Sequence, residues 1–112
     1  MPKITTEYLR HINDEIDILI SISKDFTEVE FSRNEYIKRA TVRSLEIIGE
    51  AVKNLPNEYR NSHLEVEWKS WAGLRDKLIH QYFGVDYQII WDVIVNELPE
   101  FNRIITKLLK LK

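Results

Sequence analysis

The chain is 112 residues long, 44% apolar and 30% charged, with only 3 glycines and 3 prolines, which suits one hydrophobic core built from long regular elements and argues against disorder or a turn-rich β fold. A formal charge of -2 excludes a protein that coats nucleic acid by bulk electrostatics, so any RNA contact must be local. There is no cysteine, hence no disulfide, thiolate metal site or cysteine nucleophile. The start carries no apolar signal segment, and apolar stretches such as Ile16 to Ile22 are interrupted by charge and far short of the ~20 residues that span a bilayer. The expectation is a single domain over residues 1–112, cytoplasmic and without a membrane partner.

In chain order, Thr5 or Thr6 is placed to cap a first helix in which Leu9, Ile12, Ile16, Leu19 and Ile20 recur at helical spacing, fading near Ser23. After a polar, acidic segment, Ser32-Arg33-Asn34-Glu35 has the Ser-x-x-Glu form of a capping box and starts a second helix carrying Ile37, Val42, Leu45, Ile48 and Val52. It stops at Leu55-Pro56, because the proline ring disfavours helix in the residue before it. Residues 56–60 add one extra turn. A third helix runs from about Val66 through Trp68, Trp71, Leu74, Leu78 and Ile79 to Tyr82, with Gly84 ending it in a left-handed conformation. Asp86 caps a fourth helix that buries Ile89, Ile90, Val93, Ile94, Leu98, Phe101, Ile105 and Leu108, with a kink at Pro99. No strand or repeat is evident, and an antiparallel four-helix bundle with a short extra helical turn is the simplest way to bury four apolar stripes. Trp68, Phe83 and Trp91 leave room for self-association.

The chemistry concentrates in Arg75-Asp76-Lys77-Leu78-Ile79-His80-Gln81-Tyr82. At about 100° per residue, Tyr82 returns to within about 20° of Arg75 and His80 lies one turn above Asp76, which sets a guanidinium, an imidazole and a phenol along one rim of a helix. Such a rim suits phosphate chemistry. Taken singly, the same residues have ordinary roles: His80 as a complement to a helix C-terminus, Arg75 as surface charge, Tyr82 as a core or interface aromatic. Arg39 and Arg43 with Lys38 make the best basic patch elsewhere, and a solvated helix face accounts for it. His11 and His63 make no metal-ligand spacing, and no metal or cofactor is assigned.

The stretch from Trp71 to Asp86 resembles the signature of HepT-like proteins in the HEPN superfamily. Leu45-Glu46-Ile47-Ile48-Gly49-Glu50-Ala51-Val52-Lys53 resembles that family's second helix, and Ile90-Trp91 with Asn96-Glu97-Leu98-Pro99 its last, so the resemblance covers nearly the whole chain. The family pattern of Arg, four residues, His, one residue, Tyr falls on Arg75, His80 and Tyr82. The resemblance implies a metal-independent ribonuclease toxin that works as a homodimer around a shared cleft. It also implies a small MntA-like nucleotidyltransferase antitoxin that adds AMP to Tyr82. One position departs from the pattern: the residue after the arginine is often Asn and is Asp76 here.

The residues suit that activity on chemical grounds. RNA brings its own nucleophile in the 2'-hydroxyl, so the protein must move protons and hold the charge of a phosphorane-like transition state. His80 is the proton carrier, with Asp76 four residues back as its expected hydrogen-bond support. Arg75 is the charge stabiliser, able to grip a phosphate through two parallel hydrogen bonds, and Trp71 one turn earlier is placed to stack on its guanidinium. The alternative, from a different class, is a catalytically silent HEPN module that docks a nucleotidyltransferase and binds nucleotide or RNA through the same rim.

Overall fold

The structure, a computed structural model, describes residues 3–80 and 84–110; Gln81, Tyr82 and Phe83 of the motif region lie outside them. The described residues are helical and strand-free. The first helix, α1 (Lys3–Asp25), buries Leu9, Ile12, Ile16, Leu19 and Ile22 at the spacing the sequence implies. It starts ahead of the expected cap. Thr5 and Thr6 are therefore inside the helix and buried, because Thr5 sits one turn before Leu9 on the stripe that faces the core.

A short helix, α2 (Glu28–Arg33), follows, and the capping box belongs to it rather than to Ser32 and Glu35. The Thr27 hydroxyl accepts from Glu30 N at 3.1 Å while Glu30 Oε1 accepts from Thr27 N at 2.9 Å. Ser32 is in the last turn of α2, where its hydroxyl donates to the Val29 carbonyl, so Asn34 takes over as cap of α3 (Glu35–Asn54) and accepts from Ile37 N at 3.0 Å. As Pro56 requires, α3 stops with Leu55 extended at φ -66, ψ 140. The expected extra turn is a helix of its own, α4 (Asn57–Ser62).

The motif helix, α5 (Trp68–His80), begins two residues after Val66. It is pinned at its start, where Trp68 Nε1 donates to the His63 carbonyl at 2.9 Å and the Trp71 ring stacks on Phe101, centroids 4.4 Å apart at 14°. None of the described glycines has positive φ, so Gly84 does not form a left-handed terminus. Asp86 caps α6 (Tyr87–Asp92) as expected, accepting from Gln88 N and Ile89 N.

The break expected at Pro99 comes earlier, as a π-helical turn over Val93–Glu97 that leads into α7 (Leu98–Lys110). Proline has no N–H to give the carbonyl four residues back. Widening the preceding turn lets Leu98 N–H bond the Val93 carbonyl and leaves Pro99 in the first turn of α7, where a missing donor costs little.

At the centre lies α3, packed against both α1 and α5; α1 also packs on α7, and α2 bridges α3 and α6. The bundle is thus more divided than four rods. Trp68 is buried, and Trp91 is half-buried against Phe31 at 5.1 Å, so both contribute to the interior. Ile89, expected inside, is exposed, and so is Ile79. No described helix is long and apolar enough to cross a membrane.

Candidate active site

The site is built where α5 crosses α3. Gly49, buried on α3, faces Arg75 so closely that a Cβ on it would fall 2.2 Å from Arg75 Cβ and 2.9 Å from the Trp71 carbonyl oxygen. Only glycine allows this approach. The stem of Arg75 therefore lies against α3, its Nε buried without a hydrogen-bond partner, and the side chain is 28% exposed.

Carboxylates meet the guanidinium where it emerges. Arg75 Nη1 donates to Asp76 Oδ1 at 3.1 Å, and Arg75 Nη2 is 3.9 Å from Glu50 Oε1, an oxygen that also faces Arg43 Nη1 at 3.4 Å. From one turn beyond Gly49, Lys53 Nζ reaches across to the same Asp76 oxygen at 3.0 Å. The hydrogen bond from Lys53, and after it that from Arg75, holds the Asp76 carboxyl below its ordinary value of 3.8.

His80 is exposed at the last described position of α5, one turn beyond Asp76. Asp76 does not bond it: among the described residues that carboxylate is engaged by Lys53 and Arg75. Five residues of helix separate Arg75 from His80, a rise of about 7.5 Å and a turn of about 140°, so the two side chains leave α5 in different directions and the single rim expected from the sequence does not include the imidazole. Trp71, stacked on Phe101, is not placed over the guanidinium. Tyr82, the expected AMP acceptor, lies outside the described residues.

The Lys38, Arg39 and Arg43 patch is partly neutralised. Lys38 pairs with Glu35 at 2.8 Å and lies 4.7 Å above the Tyr87 ring, while Arg43 bonds Glu46 at 3.2 Å. Arg39 and Arg43 line a cleft of about 420 Å³ with Leu78 and Tyr87, and Arg43 joins the motif through Glu50. His11 is exposed, and His63 lies 3.3 Å from Glu65. Gly49, Glu50 and Lys53 escaped the sequence reading as site residues. Their signal was available in the second-helix stretch, whose one-turn spacing from Gly49 to Lys53 puts both on one face of α3.

A family model described as Ribonuclease HepT-like matches residues 12–108. The chain belongs to the HepT-like family. Similar chains include the candidate RNase TTE0752 of Caldanaerobacter subterraneus subsp. tengcongensis, 50% identical over 96% of this chain and 96% of that one. The candidate RNase MJ0127 of Methanocaldococcus jannaschii is 43% identical over 98% of this chain and 92% of its own. A ribonuclease HepT candidate of Thermococcus cleftensis is 36% identical over 98% of this chain and all of its own length. No solved structure matches.

Proposed function

We propose that this HepT-like protein is a metal-independent endoribonuclease, the toxin of a toxin–antitoxin pair. The observation that carries the proposal is the placement of Arg75: its stem is locked over Gly49 and its guanidinium is presented at the rim of α5, one to two turns from the exposed imidazole of His80. In the reaction, the 2'-oxygen of RNA forms a bond to the adjacent phosphorus and the bond to the 5'-oxygen breaks. A 2',3'-cyclic phosphate and a 5'-hydroxyl result. His80 moves the proton, and Arg75 takes the charge that builds on the non-bridging oxygens.

A second copy completes the site. The motif of one chain supplies a single imidazole, whereas the nucleophile must lose a proton and the leaving oxygen must gain one. Ile79, 39% exposed beside His80, gives that edge an apolar surface suited to pairing. A strictly monomeric protein that cleaves RNA would contradict this.

Regulation is assigned to a minimal nucleotidyltransferase antitoxin acting on Tyr82. Transfer of AMP to the phenol oxygen, with release of pyrophosphate from ATP, adds bulk and negative charge to the motif, which opposes binding of a polyanion. If the antitoxin silences Tyr82→Phe as fully as the parent protein, the modification is not needed.

One observation favours the second reading, a silent module that docks the nucleotidyltransferase: Arg75 and Lys53 are both already paired with carboxylates. Cleavage of total RNA in EDTA separates the two. Activity lost in His80→Ala and in Arg75→Ala supports the nuclease, and no cleavage by folded wild type supports the docking module.

A further inference from the structure

We propose that Lys53 and Arg75 form a two-cation seat for one non-bridging oxygen of a phosphodiester, and that Asp76 is a placeholder the substrate displaces. The inference rests on the reading that this site binds RNA.

The seat is visible in the way it is filled. Two cations from different helices converge on a single anionic oxygen, Asp76 Oδ1, at 3.0 and 3.1 Å. Both are slightly longer than the roughly 2.7–2.9 Å typical of charge-assisted bonds, as suits a hold that another anion can exchange. One register produces the convergence: Gly49 lets α5 approach at Arg75, and Lys53, one turn further along α3, is thereby brought to Asp76, the next residue of α5.

Exposure decides between an inert tie and an exchangeable one. The side chains of Lys53 and Asp76 are 44% and 45% exposed, so the pair is wet, contributes little to stability, and is open to competition by another anion. Among the described residues Asp76 is the one ion-pair partner of Lys53, which leaves that ammonium uncommitted once Asp76 moves aside. Arg75 keeps Glu50 at 3.9 Å as a second support and so stays in place during the exchange. Asp76 then lowers the affinity of the resting site for any anion, and only a ligand that engages both cations displaces it.

The test is binding of the full chain to a 2'-O-methyl RNA oligonucleotide, which cannot be cleaved, across a range of KCl concentrations. Each phosphate contact to single-stranded nucleic acid contributes a slope of roughly -0.7 in log K against log salt. Lys53→Gln should flatten the slope by about that amount, Lys53→Arg should restore it, and Asp76→Asn should tighten binding by freeing both cations. Unchanged affinity and slope in Lys53→Gln, or weaker binding in Asp76→Asn, would overturn the seat. Wild-type cleavage is scored separately: a chain that binds in this pattern without cutting RNA retires the nuclease reading and leaves the seat standing.

Discussion

Gly49 and Arg75 meet across the α3–α5 crossing with no room for a methyl group, since a Cβ at position 49 would lie 2.2 Å from Arg75 Cβ. Glycine inside a helix costs roughly 0.5–1 kcal/mol relative to alanine, so its presence in the middle of α3 calls for a packing reason. The reason is the site. Gly49→Ala gains that helix propensity but drives a methyl into a side-chain stem and, at 2.9 Å, into the Trp71 carbonyl, which is helix backbone and cannot move aside alone. The net prediction is a loss of about 1–3 kcal/mol by denaturant titration, with cleavage reduced further than stability alone explains. A more stable, fully active variant would contradict it.

Arg75→Lys preserves charge and removes the planar fork. An ammonium in that place loses bidentate contact with phosphate, and the predicted fall in kcat is ten- to a hundred-fold while the fold persists. Circular dichroism melting beside single-turnover cleavage checks both halves. Equal rates for Arg and Lys would mean that position 75 acts as a point charge only.

Acid sensitivity follows from the carboxylate pairs. Lys38 lowers Glu35, Lys53 and Arg75 lower Asp76, and Arg103 lowers Glu100, each through a hydrogen bond first. A depressed folded-state value makes a contribution to stability that is present above the ordinary values of 4.5 for Glu35 and Glu100 and 3.8 for Asp76, and is lost as pH falls through the lower folded ones. These pairs should therefore leave the denaturation midpoint flat from neutrality to about pH 5 and reduce it below pH 4. In Asp76→Asn the drop below pH 4 should be shallower. The groups are exposed, so each effect is small.

Asp86→Ala tests the segment that follows the motif. Its carboxylate caps α6 by accepting from Gln88 N at 3.0 Å and from Ile89 N at 3.4 Å, and removal should cost about 0.5–2 kcal/mol by denaturant titration. Asp86→Asn, which can still cap, should recover most of it. No loss in the alanine variant would show that the α6 start is held by packing alone.

Much of the fold is legible because burial follows helical spacing: the Leu9-to-Leu19 stripe, the stop before Pro56 and the Asp86 cap are local signals, and the structure follows them. Sequence and structure part where one local signal fits two outcomes. Thr5 looks like a cap and is a buried threonine, and Thr27-x-x-Glu30 and Ser32-x-x-Glu35 spell the same box although only the former closes. Pro99 marks a break whose cost the chain relieves a turn earlier with a π turn. At the site, spacing along α5 put Asp76 under His80, but a carboxylate bonds what reaches it, and Lys53 reaches it from another helix. A partner distant in sequence has no signature in the periodicity of α5: the spacing of Gly49 and Lys53 marks a shared face of α3, but what that face meets is visible only in three dimensions.

The most direct measurement is cleavage of total RNA by purified protein in EDTA, beside His80→Ala, with fragment ends assayed for 2',3'-cyclic phosphate. The account predicts cyclic ends from the wild type and at least a hundred-fold loss in the variant. Cleavage that survives in His80→Ala, or a folded, dimeric, unmodified wild type that leaves RNA intact, would contradict it.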